Sequence, residues 1–555
     1  MPPRFSKEHL LPLIHGNDSY RQHRTSPCEA HCPAGNHIQL MESQVAAGHH
    51  VEALMTLLSR NPFPGVTGRI CPHPCEKACN RQHYDEALSI QALERFASDA
   101  GHTLTPTPAP ATGKRISVIG SGPAGMSCAW FAALLGHEVT VFESSPVLGG
   151  VPRLAVPDFR LPKHVVDRET GRILALGVKA FTNMAVGRDI SLDAVLEDCD
   201  ACVIAVGSWK ERRLTCPGAE LARPAVAFLQ ESNLIRERLD GKQVVILGGG
   251  GVAFDCAFTA KRLGASKVSL VFPESLENVR APEEEKKQAV MEGIRLVHSH
   301  ISEQIGSNYV KAAMLRSFSF DECGNLCAEK YDGEGETLPA DIVICASGLS
   351  TELSFLETMN LAVDRRGRIL VDEHYRTSCD KIFAAGDVVT GPSFVADAVS
   401  SGRKAAMEIH KALTACADSM SIRIDENFKV LMENSTARTR EVHVVEFKEI
   451  GNPGYHEKAP RRVPEKRDGP ETAFAEIQAG FDAENAEAEA SRCMHCGHCI
   501  HCGSCLERCP GYILEKDDRE EPFVRYPEEC WHCGCCRTAC PTGSISMEFP
   551  ITMLV

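Results

Sequence analysis

The chain has 555 residues, which is too long for a single hydrophobic core, so three or four domains are expected. Its net charge of −15 excludes a basic face for nucleic acid or for an anionic membrane surface. No apolar run approaches the ~18 residues of a membrane span, and residues 1–10 lack the apolar region of a secretory signal, so we expect a cytoplasmic protein without membrane insertion.

The 26 cysteines are distributed unevenly. Five lie between Cys28 and Cys79, eleven lie between Cys493 and Cys540, and ten are scattered elsewhere. Because we expect no secretion, disulfides are a poor explanation for such clustering. Clustered cysteines without export indicate metal binding.

The chain begins with a predicted helical domain and then changes to alternating strands and helices. Residues 1–102 predict helices with two cysteine groups, ending in a helix at 90–100, and the Pro-rich residues 103–112 predict an extended linker. From Lys114 a strand, a glycine turn, a helix and a second strand follow one another, and this βαβ pattern returns at 242–272. Two such units predict two bound nucleotides.

The first βαβ unit carries the G-x-G-x-x-G fingerprint between its strand and its helix. The first glycine allows a tight turn, the second lets the backbone approach a pyrophosphate, and the third permits close packing of helix on strand. The alternative is a glycine turn without a ligand, which the complete strand–turn–helix context disfavours. The predicted nucleotide-binding residues are Gly120, Gly122, Pro123, Ala124, Gly125 and Glu143, whose carboxylate would accept hydrogen bonds from a ribose.

The second unit carries the G-x-G-x-x-A variant of the fingerprint. Its predicted nucleotide-binding residues are Gly248, Gly250, Gly251, Ala253 and Asp255. Gly386 and Asp387 follow a later strand, and we expect them to close a flavin site around the ribityl chain. The pattern predicts an FAD domain at 113–240 and 336–415, into which an NAD(P) domain at 241–335 is inserted.

A connecting segment is expected at 416–492, and residues 493–555 predict a ferredoxin-like domain. This domain contains the pattern C-x2-C-x2-C-x3-C-P twice, which is typical of bacterial two-cluster ferredoxins whose fourth cysteine serves the other cluster. The first predicted [4Fe–4S] cluster is held by Cys499, Cys502, Cys505 and Cys540. The second is held by Cys530, Cys533, Cys536 and Cys509. A pair of structural zinc sites is the alternative, which the two matched runs disfavour.

These motifs together resemble the glutamate synthase small-subunit-like flavoproteins, the N-terminal half of dihydropyrimidine dehydrogenase and the large subunit of the bifurcating ferredoxin:NADP oxidoreductase. The resemblance covers roughly residues 20–495. It rests on GRICPHPCEKAC at 68–79, LERF at 93–96, the glycine turns, LGG followed by PDFRLPK at 148–163, and AAGD at 384–387. It implies an α/β plus α fold with a helical iron–sulfur domain, tandem Rossmann-like FAD and NAD(P) domains, and here an added ferredoxin domain.

The same resemblance implies two N-terminal [4Fe–4S] clusters. One would be held by Cys32, Cys71, Cys75 and Cys79. The family usually brings two further cysteines from a stretch before Cys28; that stretch is missing here, and Cys493 and Cys496 look like its displaced counterpart. We therefore expect a second cluster held by Cys28, Cys493 and Cys496, with Glu94 as a carboxylate ligand. The alternative treats Cys493 and Cys496 as spare thiols and Glu94 as a surface charge.

The nicotinamide preference is predicted from the residues after the second strand of the NAD(P) unit. NADPH-specific relatives place arginines there to bind the 2′-phosphate. This chain has Glu274, which would repel a phosphate and accept from ribose hydroxyls, so we expect NADH rather than NADPH. Arg280 is close enough in sequence to serve NADPH instead.

The sequence therefore predicts an NAD(P)H:acceptor oxidoreductase with FAD, NADH and four [4Fe–4S] clusters, and a protein redox partner. No catalytic acid or base is expected, because the cofactors carry the chemistry. Three alternatives stay open: a glutamate synthase small subunit, the electron-input subunit of another enzyme, and a non-catalytic electron-wiring subunit. Cys199 and Cys202 form a C-x-x-C pair, but they lie outside the inserted domain in which disulfide reductases carry theirs.

Overall fold

The computed structural model describes most of the chain. The described residues are 24–101, 105–212, 214–279, 281–322, 326–359, 361–414, 419–425, 427–435, 442–467, 474–518 and 520–545.

The N-terminal region is helical and has a core of its own. After the short strand β1 (Arg24–Thr25), its helices are α1 Pro27–Ala30, α2 Ile38–Ala46, α3 His50–Leu58, α4 Pro64–Ile70, α5 Pro74–Lys77 and α6 Ile90–Ala100. Proline occupies the first position of α1, α4 and α5. Proline suits this position because the N–H that it lacks would have no acceptor within the helix there. Met41, Leu57 and Leu93 are fully buried in this core, and Ala486 and Ala490 from a helix near the other end of the chain complete it.

The first nucleotide domain is a parallel sheet covered by helices. Its strands are β2 Arg115–Ile119, β3 Glu138–Phe142, β4 Lys179–Phe181, β5 Ala201–Ile204 and, much later, β16 Ile382–Ala384. They lie in the order β16-β5-β2-β3-β4. The helices are α7 Pro123–Leu134, α8 Gly150–Leu154, α9 Lys163–Leu174, α10 Leu192–Glu197, α14 Asp387–Thr390 and α15 Val395–Thr414. Trp130 of α7 is fully buried and donates to the Leu58 carbonyl at 3.1 Å, which joins this domain to α3.

The second nucleotide domain is also a parallel sheet, inserted between β5 and β16. Its strands are β7 Arg223–Pro224, β8 Gln243–Leu247, β9 Lys267–Val271, β10 Ile294–Val297 and β14 Ile342–Cys345, and its helices are α11 Ala225–Leu234, α12 Gly251–Arg262 and α13 Glu283–Met291. The strand order is β10-β9-β8-β14-β7. An antiparallel sheet of β11 His300–Ile305, β12 Tyr309–Phe320 and β13 Leu326–Pro339 is attached, and β6 Lys210–Glu211 pairs with β15 Leu349–Ser350.

The inserted domain is longer than the predicted residues 241–335. Strand β14 pairs with β8 and β7 pairs with β14, so both belong to the second sheet, although the sequence assigned them to the first domain. Helix α11 packs in the second core, and the predicted boundary at 335 falls inside β13. A two-residue strand gives no periodic signal, which is why the sequence could not place β7.

The C-terminal third is made of short elements. They are β17 Ser419–Ile424, β18 Val430–Ser435, β19 His443–Val444, α16 Ala483–Ala490, α17 Ser504–Glu507, β20 Leu514–Lys516, β21 Pro522–Val524 and α18 Cys535–Ala539. β17 pairs with β18, β20 pairs with β21, and β19 pairs with β1 from the other end of the chain. Short 3-10 helices cover Asn80–His83, Ala219–Leu221, Ser354–Met359, Phe447–Glu449, Pro453–Tyr455 and Pro527–Glu529.

Residues 474–478, which we call the strap, connect the second nucleotide domain to the N-terminal helices. Phe474 packs on Phe159 in the second core, and the Ile477 amide donates to the Phe159 carbonyl at 2.9 Å. Glu476 accepts from Arg69 at 2.7 Å and forms an ion pair with Arg95 at 2.9 Å. The connecting segment is therefore a structural tie between domains.

Across the described ranges, no helix has both the length and the apolar character needed to cross a bilayer.

Candidate cofactor and cluster sites

The first glycine turn has the shape that a bound pyrophosphate requires. Gly120 has φ +101°, and a Cβ there would lie 2.5 Å from the Ala205 carbonyl oxygen. A Cβ on Gly125 would lie 2.0 Å from the Gly120 carbonyl oxygen, so helix and strand are in close contact there. A Cβ on Gly122 would meet nothing within 4 Å, which leaves open space at the N-terminus of α7, where Pro123 is the first helical residue. The turn therefore fits a dinucleotide.

Glu143 lies at the end of β3, beside this turn. Its buried carboxylate accepts from the Ser121 amide at 2.9 Å and the Ser145 amide at 2.7 Å. These bonds hold the acid at the position where a ribose would lie.

Gly386 and Asp387 reach the same site from a distant part of the chain. Gly386 has φ +79°, and a Cβ there would lie 2.6 Å from the Ala124 Cβ on α7. Burial raises the pKa of Asp387 to about 6, and Ser393 donates to its carboxylate at 3.0 Å. A half-buried carboxylate next to Gly386 suits the hydroxyls of a ribityl chain.

The second glycine turn follows the same plan. Gly248 has φ +145°, and a Cβ there would lie 2.3 Å from the Ala346 carbonyl oxygen. Gly250 and Gly251 face open space at the start of α12, and Ala253 is fully buried. This turn also leaves room for a pyrophosphate.

Asp255 forms an ion pair between the two nucleotide domains. It is buried, and its Oδ1 accepts from Arg160 at 2.6 Å, while the same guanidinium also contacts Glu285 at 2.6 Å. The ion pair with Arg160 disfavours a contact between Asp255 and the nucleotide, and that contact stays a prediction. The arginine joins the first domain to α12 and α13 of the second.

Glu274 lies beside the second turn, after β9. Its Oε2 and the Ser275 hydroxyl are buried, and no hydrogen bond from a described residue reaches either of them. A Cβ on Gly249 would lie 2.8 Å from Val279, so this loop packs against the glycine turn. Two unsatisfied acceptors there suit the hydroxyls of an adenosine ribose. Arg280 lies outside the described residues.

The ferredoxin region contains two cavities lined by cysteines. One is lined by Cys499, Cys502, Cys505 and Cys540. The other is lined by Cys509, Cys530, Cys533 and Cys536. These are the two groups that the spacing predicts, including the exchange of the fourth cysteine between the runs. Within the described residues, no three such side chains are arranged to share a single metal ion.

The N-terminal cysteines are grouped differently from the prediction. Burial raises the thiol pKa of Cys28, with Cys79 among its charged neighbours, and the neighbours of Cys493 include Cys28. The charged neighbours of Cys496 include Cys79. These neighbours favour a common set of Cys28, Cys79, Cys493 and Cys496, which we call group A.

The remaining residues form group B, which is Cys32, Cys71, Cys75 and Glu94. Burial raises the pKa of Cys32 to about 11 and that of Cys71 to about 12, and Glu94 is the largest electrostatic contributor to both. The neighbours of Cys75 include Cys32, Glu94 and Cys71. The sequence prediction placed Cys79 with this group and Glu94 with the other, whereas these neighbours favour the reverse arrangement. Helix α5 ends at Lys77, and the extended backbone at Cys79 (φ −62°, ψ 121°) carries it toward group A.

Glu94 is held by one oxygen. Its Oε1 accepts from Thr67 at 2.6 Å, Asn61 at 3.0 Å and Asn36 at 3.1 Å. No hydrogen bond from the described residues reaches Oε2, and burial raises the pKa of the carboxyl to about 7. Three donors on one oxygen orient the other, so Glu94 fits a carboxylate ligand beside three cysteines.

Glu42 is a residue of this site that the sequence reasoning missed. It lies buried on α2, burial raises its pKa to about 8, and it helps to raise the pKa of the Cys493 thiol, which burial raises most. A signal existed, because Glu42 interrupts the apolar face formed by Ile38, Met41 and Val45. A glutamate in such a face is typical of a functional pocket.

Three family models match the chain. Residues 114–402 match the pyridine nucleotide-disulphide oxidoreductase family, residues 21–105 match dihydropyrimidine dehydrogenase domain II with a 4Fe-4S cluster, and residues 498–544 match the 4Fe-4S dicluster domain. Both cysteine-rich regions therefore match iron–sulfur families, which disfavours the zinc alternative.

Several curated proteins are similar over most of the chain. The NADP(+)-dependent formate dehydrogenase subunit beta of Moorella thermoacetica is 32% identical, over 86% of this chain and 71% of its own. The NADPH-Fe(3+) oxidoreductase subunit beta of Geobacter sulfurreducens is 28% identical, over 85% of this chain and 75% of its own. The glutamate synthase [NADPH] small chain of Escherichia coli is 32% identical, over 68% of this chain and 87% of its own.

Proposed function

The chain belongs to the pyridine nucleotide-disulphide oxidoreductase family, in its glutamate synthase small-subunit-like branch, and on that premise we propose that it passes electrons between NADH, FAD and four [4Fe–4S] clusters, to or from a protein partner. It is an NAD(P)-dependent oxidoreductase with iron–sulfur clusters. The cluster count, the preference for NADH and the partner are the proposed part.

The observation that carries the proposal is the position of Asp397, in the first turn of α15. Its charge acts on Asp387, which closes the first glycine site, and also on Cys71 of group B. This shared neighbour supports a position of group B near the proposed flavin site. Bound FAD would supply the exchange between two-electron nicotinamide chemistry and one-electron cluster chemistry.

The cysteine groups continue as a series from that point. Cys28 lies in α1 and Cys32 follows that helix, while Cys75 lies in α5 and Cys79 follows that one, so groups A and B are neighbours. Cys496 of group A is followed three residues later by Cys499 of the first ferredoxin group. We propose that group B, group A and the two ferredoxin groups each hold one [4Fe–4S] cluster, in that order from the flavin.

The residues of the two nucleotide sites have positioning roles in this scheme. Glu143 and Asp387 would orient the FAD ribose and ribityl chain, while Gly122 and Gly250 let the two pyrophosphates approach the backbone. No side chain is needed as a general acid or base. The chain's contribution is to fix distances and potentials.

We propose NADH as the nicotinamide because of Glu274. A carboxylate with an unsatisfied buried oxygen would accept from a ribose 2′-hydroxyl and would repel a 2′-phosphate. The names of the relatives above contain NADP or NADPH. Because of Glu274, we do not assign the same nucleotide preference to this chain. Comparing kcat/KM for the two nucleotides decides the question, and a preference for NADPH would overturn this part.

We propose a protein partner because the formate dehydrogenase and Fe(3+) oxidoreductase relatives are beta subunits by name. The formate dehydrogenase relative aligns over 86% of this chain and the glutamate synthase small chain over 68%. This favours the electron-input subunit of another redox enzyme over a glutamate synthase small subunit. The direction of electron flow stays open.

Anaerobic purification of the whole chain tests the proposal. We expect one FAD, about sixteen irons per chain, and bleaching of flavin and cluster absorbance on addition of NADH. Proteins that co-purify would identify the partner. A chain with full flavin and iron that NADH does not reduce would contradict the electron-transfer function, and about eight irons would contradict the N-terminal clusters.

A further inference from the structure

Arg403 connects the proposed flavin site to group B. Its backbone lies on α15 of the first nucleotide domain. It follows Gly402 on α15, where an added Cβ would lie 2.0 Å from the Ala124 carbonyl oxygen, so α15 and α7 are in direct contact. The preceding Ser401 accepts from the Gly386 amide at 2.9 Å. The backbone of Arg403 is thus held by the same elements that build the glycine site.

The guanidinium of Arg403 reaches the loop that follows Cys32. Its Nη1 donates to the Ala34 carbonyl at 2.7 Å and to the Arg60 carbonyl at 2.8 Å. Gly35 has φ +68°, and a Cβ on it would lie 2.9 Å from Nη2, so the loop lies directly on the guanidinium. Substituting Gly35 would displace this contact.

This loop carries one of the four group B residues, Cys32, and hydrogen-bonds to a second, Glu94. The Gly35 amide donates to the Cys32 carbonyl at 2.9 Å, and the Asn36 amide donates to the Cys32 sulfur at 3.4 Å. The Asn36 side chain donates to Glu94 at 3.1 Å. Arg403 therefore supports both Cys32 and the acceptor oxygen of Glu94 through a few hydrogen bonds.

Arg403 is also a cation without a carboxylate partner among the described residues. Burial and the neighbouring Arg60 lower its pKa to about 10, which leaves it charged at neutral pH, and Cys32 is among the groups that favour its charge. Because a reduced cluster carries one more negative charge than an oxidised one, a nearby fixed cation favours reduction.

We propose that Arg403 is a positioning residue that holds the Cys32 loop against the flavin helix and raises the reduction potential of the group B cluster. The proposal rests on the proposed ligation of a cluster by group B. Arg403 would thus both position the Cys32 loop and raise the reduction potential of the cluster, acting from the flavin-binding domain.

The test uses the full-length holoenzyme in four forms: wild type, Arg403→Met, Arg403→Lys and Lys404→Met. Lys404 is the next residue on α15 and is exposed, so its variant removes the same charge from the same helix without touching the loop. Iron and flavin contents are measured first. The midpoint potential of each cluster is then read by EPR-monitored redox titration.

We expect Arg403→Met to lower the potential of one cluster, while the other clusters keep theirs. Arg403→Lys should retain most of the wild-type potential, and Lys404→Met should match wild type. Unchanged potentials in an iron-replete Arg403→Met protein would overturn the proposal. If the methionine variant loses irons, Arg403→Lys decides: retention of irons and potential supports the proposal, and equal loss overturns it. A wild-type protein that lacks the N-terminal irons would instead contradict the proposed cluster at group B, independently of Arg403.

Discussion

Gln39, on α2, donates a hydrogen bond to the backbone carbonyl of Cys496, 457 residues further along the chain, at 2.9 Å. Asn80 similarly donates to the Val445 carbonyl at 2.8 Å. These bonds place the C-terminal cysteine pair inside the N-terminal helical region, where Cys28 and Cys79 lie. The ferredoxin region is thus joined to the N-terminal region at its first residues.

Replacing both Cys493 and Cys496 by serine should remove one N-terminal cluster and leave the ferredoxin clusters intact. We expect iron to fall by about four per chain, because group A would lose two of its four thiolates. Iron analysis together with EPR measures this. Cys535→Ser is the matched control, since Cys535 lies in the same region but lines neither cavity. Full iron in the double variant would mean that the two thiols are spare.

Replacing Glu94 by alanine should change the iron content and EPR signature of a single cluster. Thr67, Asn61 and Asn36 would also lose their shared acceptor, at a cost of about 1–3 kcal/mol for each buried donor left unpaired. Glu94→Gln keeps an oxygen for these donors and should be milder. The exposed Glu52→Gln is the control. An unchanged set of cluster signals in Glu94→Ala would refute the carboxylate ligand.

Replacing Glu274 by arginine should shift the nicotinamide preference toward NADPH. The change removes an acceptor for the 2′-hydroxyl and adds a donor for the 2′-phosphate, so the ratio of kcat/KM values should move by about tenfold or more, equivalent to ~1.4 kcal/mol. Steady-state kinetics with both nucleotides measure it. Glu277→Arg adds the same charge at an exposed position of the same loop and should move the ratio far less. Equal shifts in both variants would argue for a general charge effect.

The stability of the first nucleotide domain should fall with acid through a buried histidine pair. His137 contacts His410 at 2.9 Å and Thr112 at 2.7 Å, and burial together with His410 lowers the pKa of His137 from 6.5 to about 4. The unfolded chain binds the proton more readily, so this contribution to stability is complete above about pH 6.5 and is lost as the pH falls toward 4.

Thermal release of bound flavin, followed by fluorescence at pH 7.5 and 5.5, measures this effect. His137→Gln should show a smaller drop in melting temperature between the two pH values than wild type. The exposed His298→Gln should behave like wild type. The same drop in all three proteins would assign the acid sensitivity to other groups.

The sequence predicts local chemistry well and long-range grouping less well. The roles of Gly120, Gly125 and Gly248 follow from the glycine spacing of the nucleotide-binding fingerprint. A Cβ added to any of these three residues would lie within 2.5 Å of a carbonyl oxygen. The ferredoxin cavities follow the spacing of their cysteines, because each run is a compact loop.

The N-terminal groups could not be divided from the sequence, because the division depends on the direction of the chain after α5. Cys71, Cys75 and Cys79 are evenly spaced, which favours a common site, yet the helix ends before Cys79 and the chain leaves it in an extended conformation. The ion pair between Asp255 and Arg160 was also beyond the sequence, since it joins residues of two domains. Contacts of this kind are set by tertiary packing and leave no periodic signal.

The makeup of group A has a consequence for how the protein is synthesised. Cys28 and Cys79 leave the ribosome hundreds of residues before Cys493 and Cys496, so a cluster with these four ligands can be completed only after Cys496 has been synthesised. The group B residues all lie within the first hundred residues, so their cluster could be assembled much earlier in translation. The cell's iron–sulfur delivery proteins would therefore meet a nascent chain able to accept the group B cluster early and the group A cluster only after Cys496 has emerged.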